Sequence, residues 1–81
     1  MIIILKKEAI KSFSKLSTPE RNKVIKKFNL LKENPLAGKT LRGEYQGLFS
    51  LKAWPFRIIY RIEKKNVVIY SVAHRQGAYK S

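Results

Sequence analysis

Cysteine is absent from the 81 residues, and histidine occurs once. The first absence excludes a disulfide framework and a thiolate metal site; the second excludes a cluster of imidazole ligands. No metal and no other cofactor is expected. Long hydrophobic runs are also missing. The apolar start, Met1-Ile2-Ile3-Ile4-Leu5, is short, and lysines follow it rather than precede it. A signal segment needs roughly seven to fifteen apolar residues behind a basic stretch, and a membrane span about twenty. Neither export nor a membrane is expected, and the cytoplasm is the expected compartment. Acidic residues are scarce as well: 5 Asp+Glu stand against 18 Lys+Arg, for a net charge of +13. Such an excess repels itself in a compact chain, so its return is sought in a polyanionic partner: nucleic acid, an acidic membrane surface or an acidic protein. Solubility alone is the bland alternative. The cations are spread along the chain, which excludes a disordered basic tail.

What is present fits one small domain over residues 1–81. Ile2 to Leu5 is a short β-branched run, expected as a strand buried on both faces. From Lys7 the period changes. Ala9, Ile10, Phe13 and Leu16 form one helical stripe, predicting a helix of about ten residues. Ser17-Thr18-Pro19-Glu20 opens a second helix. Both Ser17 and Thr18 fit the cap, and Pro19 as the first helical residue favours Thr18. This helix carries Val24, Ile25, Phe28 and Leu31 inward and ends near Glu33, because Pro35 pushes Asn34 out of the α region. Residues 35–47 hold three of the four glycines and read as a loop, pinned to the core by Leu36, Leu41 and Tyr45. Two alternating segments follow, at Leu48–Lys52 and Phe56–Ile62, and then an almost continuously apolar one at Val67–Ala73, expected as a central strand covered on both faces; turns at Ala53-Trp54-Pro55 and Glu63-Lys64-Lys65-Asn66 join them. The order β-α-α-β-β-β predicts an α+β fold. Its sheet is an antiparallel meander, with an αα-hairpin on one face and the first strand at an edge or between others.

The informative stretch is Phe56-Arg57-Ile58-Ile59-Tyr60-Arg61-Ile62. Its period of two sends Phe56, Ile58, Tyr60 and Ile62 to a core and Arg57 and Arg61 to the opposite face. A solvated face is the plain reading of two such arginines. Parity adds Ser50 and Lys52 from the preceding strand. From the last strand, Val68, Tyr70 and Val72 are expected inward, with Val67, Ile69, Ser71, Ala73 and Arg75 on the open face. Lys52, Arg57, Arg61 and Arg75 would thus share one uncovered face, with Tyr79 in reach on the tail. Small Ser71 and Ala73 leave floor space for a phosphate. His74 falls on the wrong parity, unless the strand end bulges and turns it in. Trp54, at a hairpin tip, either folds back on the domain or stacks on a base or a partner.

Leu41-Arg42-Gly43, Leu48-Phe49-Ser50-Leu51-Lys52, the Phe56–Ile62 strand and Val72-Ala73-His74-Arg75 with Tyr79 resemble the RelE/ParE toxin superfamily of type II toxin–antitoxin systems. The order of elements matches that superfamily too. The RelE-like branch implies a ribosome-dependent endoribonuclease that cuts mRNA by attack of a 2′-hydroxyl on the adjacent phosphate and so inhibits translation. By the resemblance, Arg57 binds the phosphate and its developing charge. Arg75 is the arginine of the C-terminal strand, and Tyr79 orients the RNA or takes part in proton transfer. Lys52 is the second basic position of its strand, and His74 is a further candidate. Many RelE-like sequences carry a first basic residue where this chain has Ser50, and parity puts no Asp or Glu on the face as a general base. These two features favour the alternatives: a ParE-like inhibitor of DNA gyrase, or a basic RNA-binding domain without catalysis. The expected partners are an acidic cognate antitoxin, with mRNA and the ribosome in the RelE-like case or gyrase in the ParE-like case.

Overall fold

The computed structural model of the chain describes residues 2–74. The elements are β1 (Ile3–Leu5), α1 (Lys7–Ser14), α2 (Thr18–Glu33), β2 (Lys39–Thr40), a 3₁₀ turn (Gly43–Tyr45), β3 (Phe49–Ala53), β4 (Phe56–Glu63) and β5 (Asn66–His74). The strands form one sheet in the order β1-β5-β4-β3-β2. The meander β3-β4-β5 is antiparallel, while β1 joins the edge parallel to β5, Ile4 opposite Val68. Among the described residues no helix is long and apolar enough to cross a membrane.

Both helices lie on one face. Ala9 of α1 and Val24, Phe28 and Leu31 of α2 meet Leu51, Ala53, Phe56, Ile58, Tyr60, Val67, Ile69 and Val72 of the sheet. Tyr60, Leu31, Ile58 and Ile69 are among the largest side chains wholly withdrawn from water. Each such burial contributes about 1.5–3 kcal/mol. Aromatic pairs extend this core: Phe49 stacks on Tyr60 with centroids 5.1 Å apart, and Phe13 on Phe28 at 6.0 Å.

Several expectations are corrected here. Strand β1 is an edge strand with Ile4 exposed, so it is not buried on both faces. The first helix has 8 residues and leaves Ile10 56% exposed, because the stripe that meets the sheet is Ala9 with Phe13 and Ile10 lies off it. Ile25 is likewise exposed. Ser17, not Thr18, caps α2. Its hydroxyl accepts from the Glu20 N–H, and the Glu20 carboxylate accepts from the Ser17 N–H at 2.9 Å. That reciprocal box satisfies two backbone donors, where Pro19 only avoids wasting one. The loop contains the extra strand β2, whose Lys39 and Thr40 pair with Ser50 and Phe49. Leu36 does not pin it, being 68% exposed.

The last strand departs from strict alternation. Ile59 opposes Ser71 but Tyr60 opposes Ile69, so Tyr70 is an inserted residue. This bulge reverses parity along β5. Val67 and Ile69 join Val72 in the helix-covered cluster, while Val68 is buried outside it and Tyr70 is half-buried. Ser71 and Ala73 keep to the expected Arg57 face, and there they pair with Ile59 and Arg57.

Tyr60 ties the core to the loop. Its hydroxyl donates to the Pro35 carbonyl at 2.7 Å and accepts from the Gly38 N–H at 2.9 Å. Burial pushes this phenol upward from its ordinary value, with the Gly38 hydrogen bond acting against it. Gly38 is small because it must be: a Cβ there would lie 2.5 Å from the Tyr60 hydroxyl. The knot fixes the chain just before Lys39 and Thr40 and so sets the wall of the site.

Candidate functional site

Lys52 of β3 stands directly opposite Arg57 of β4. Like charges facing each other across a sheet are destabilising, and neither position is needed for the core. The two cations share the wall of an open groove of about 780 Å³. Its other walls come from separate elements: Lys27 of α2, Ala37 and Lys39-Thr40 behind the Tyr60 knot, Leu41-Arg42, and Ser50-Leu51. Of these ten lining residues, Lys27, Lys39, Arg42, Lys52 and Arg57 are cationic and none is acidic. Ser50 is buried and offers a hydroxyl. Such a groove suits an oxyanion carrying more than one charge.

A second, smaller cleft of about 150 Å³ shares Lys52 and Arg57 with the groove and is completed by Phe56 and Trp54 of the β3–β4 tip. Trp54 lines this cleft at the β3–β4 tip and is 61% exposed. Its backbone carbonyl accepts a hydrogen bond from Lys23 Nζ at 2.9 Å, which ties the tip to α2.

The remaining sequence candidates are placed as follows. Arg61 shares the Arg57 face but stands four residues along the strand, about 13 Å away. It pairs there with Glu63 at 3.8 Å, and Glu63 also accepts from the Tyr70 hydroxyl. His74 pairs with Phe56 and meets its ring edge-on at 5.8 Å, on the helix-covered side rather than beside Arg57. There it lies close enough to Glu20 for its charged form to favour that carboxylate. Arg75 and Tyr79 lie outside the described residues. Sequence reasoning missed Lys27, Lys39 and the role of Arg42 as groove walls. Lys27 carried no signal, since it sits on a helix face full of lysines. Leu41-Arg42-Gly43 was visible as a motif, but nothing local revealed that a two-residue strand would carry it to the sheet edge.

The family model for the ParE toxin of type II toxin–antitoxin systems matches residues 3–79. The chain belongs to this toxin family. It is a toxin of the RelE/ParE superfamily. Among solved structures it is similar to a chain of the RelBE2 toxin–antitoxin complex of Mycobacterium tuberculosis, at 32% identity and TM-score 0.84, over 91% of this chain and 96% of that one. It is also similar to the isolated RelE toxin of E. coli, at 26% identity and TM-score 0.77, over 99% of this chain and 86% of that one. The archaeal RelE–RelB complex of Pyrococcus horikoshii contains the same fold, at 19% identity and TM-score 0.77, over 94% and 96% of the two chains. No curated protein matches the chain by sequence.

Proposed function

We propose that this toxin is a RelE-like endoribonuclease that cuts messenger RNA on the ribosome and thereby inhibits translation. The observation that carries the reading is the groove beside Lys52 and Arg57, with five cations and no carboxylate among its described lining residues. In the reaction a 2′-oxygen bonds to phosphorus and the P–O5′ bond breaks, leaving a 2′,3′-cyclic phosphate and a 5′-hydroxyl. One proton leaves the 2′-oxygen and one reaches the 5′-oxygen. The phosphorane between these states carries extra negative charge. Arg57 and Lys52, fixed on neighbouring strands, meet that charge without having to reorganise. Arg75 and Tyr79 are proposed to complete the site from the tail, Arg75 as a second guanidinium on the phosphate and Tyr79 in orientation or proton transfer. His74, which meets Phe56 on the helix-covered side, is given no part in that site. The antitoxin would be acidic, covering the groove and neutralising it in the cytoplasm.

The ParE-like reading, inhibition of gyrase, is favoured by the name of the matching family model. Induction of the chain, with mapping of messenger 5′ ends beside an assay of gyrase supercoiling, separates the two. Codon-phased cuts are expected, and Arg57→Ala should reduce them by a factor of roughly 10²–10³. Blocked supercoiling without cuts would select the inhibitor, and RNA binding with neither effect the non-catalytic domain.

A further inference from the structure

The two clefts share Lys52 and Arg57 as a common wall. A phosphodiester held by that pair would therefore straddle it, with one neighbouring nucleotide in the wide basic groove and the other at the hairpin tip. The tip is shaped differently from the groove. Its cleft is small, at about 150 Å³, the room of about five waters at ~30 Å³ each. That is the scale of a single flat ring system. Trp54 forms one of its walls while most of the residue's surface stays in water. The tip is braced rather than loose, since the preceding Ala53 is buried in the core and Lys23 holds the Trp54 carbonyl.

We propose that Trp54 is the stacking platform for the base adjacent to the phosphate held by Lys52 and Arg57, in single-stranded RNA. The proposal rests on the RNA-directed reading above and adds to it a subsite and its ligand class, an unpaired nucleobase. Stacking on an indole discriminates weakly among bases and favours the larger purine face. The Lys52 and Arg57 charges alongside bind the backbone whatever the sequence. Trp54 is a positioning residue here: it sets where the ribose lies and takes no part in bond making.

The chain has a single tryptophan, so its fluorescence reports this site alone. The probe is a fluorescein-labelled oligoadenylate tetramer with 2′-O-methyl riboses, which cannot be cut; a matched tetramer with abasic positions is the control. Quenching of Trp54 emission is expected on titration with unlabelled tetramer. By anisotropy, Trp54→Ala should bind the tetramer roughly tenfold more weakly. Trp54→Phe should restore most of that loss, and the abasic control should bind wild type and Trp54→Ala alike. Equal thermal midpoints for the three proteins show that folding is not the cause. If Trp54→Ala binds as wild type does while Arg57→Ala abolishes binding, the platform is wrong and the RNA reading stands. If the wild-type chain binds no tetramer and instead blocks gyrase supercoiling, both are wrong.

Discussion

The Lys52–Arg57 pair is where stability and activity pull apart. Two cations face each other across the β3–β4 ladder, at positions where almost any polar residue would fold as well. Replacing Lys52 with Gln removes the repulsion and should stabilise the chain by roughly 0.2–1 kcal/mol, while weakening RNA cleavage. A higher thermal midpoint with lower activity is the expected pair of readings; a lower midpoint would mean that the repulsion is already relieved in the fold. Tyr60 behaves in the opposite way. Tyr60→Phe strips partners from the Pro35 carbonyl and the Gly38 N–H while leaving the ring in the core. A cost of about 1–3 kcal/mol is expected for groups so orphaned. Hydrogen exchange should speed up at residues 38–41 before it does in β4, because the knot holds that loop and through it Lys39 and Arg42. Uniform speeding would place the damage in the core instead.

At the scale of elements, the α2 cap carries a pH dependence that can be read directly. The Ser17 N–H, together with its hydroxyl, holds the Glu20 carboxyl below its ordinary 4.5, and Lys23 and His74 add to the effect. A carboxylate whose acidity is raised by folding stabilises the fold above its unfolded value and loses that contribution as pH falls through the folded one. Thermal stability should therefore decline below about pH 4.5. Glu20→Gln can keep the capping geometry and should flatten that decline while changing little at neutral pH; an unchanged acid limb would assign it to other carboxylates. The same element shows how legible the chain was. Ser17 and Glu20 were visible in sequence as a box, but Pro19 argued for a register one residue later, and a propensity lost to two real hydrogen bonds. Two of the meander strands, both helices and the Arg57 face follow from period alone, and the third strand from its unbroken apolar run. The β5 bulge does not, because Val67 to Tyr70 is apolar at every position and either parity fills a core equally well. Nor does β2: two residues of strand carry no period, and their place depends on a tyrosine more than twenty residues further along.

The whole molecule is a body of 30 × 29 × 21 Å with a net charge of +13. In 0.01 M salt the screening length is about 30 Å, so every cation senses all the others; in 0.1 M salt it is about 10 Å, and only neighbours remain coupled. The free toxin should therefore melt at a higher temperature as salt rises across this range, because self-repulsion in the compact state is what salt relieves. Its complex with single-stranded RNA should respond with the opposite sign. Each phosphate neutralised releases counterions and contributes a slope of about −0.7 to the logarithm of affinity against the logarithm of salt. Engagement of all five groove cations corresponds to a slope of about −3 to −4. Melting curves of the free chain, and of the chain with the 2′-O-methyl tetramer in excess, should converge as salt increases, the free curve rising while the stabilisation by RNA shrinks. A three-phosphate tetramer reaches at most three of those cations, so its slope should stop near −2. A longer strand should steepen the slope until the groove is filled. A slope that does not grow with strand length would mean that Lys27, Lys39 and Arg42 do not track the backbone, leaving Lys52 and Arg57 as an isolated anion site. A free chain whose melting temperature ignores salt would mean that its cations are spaced widely enough for their repulsion not to matter.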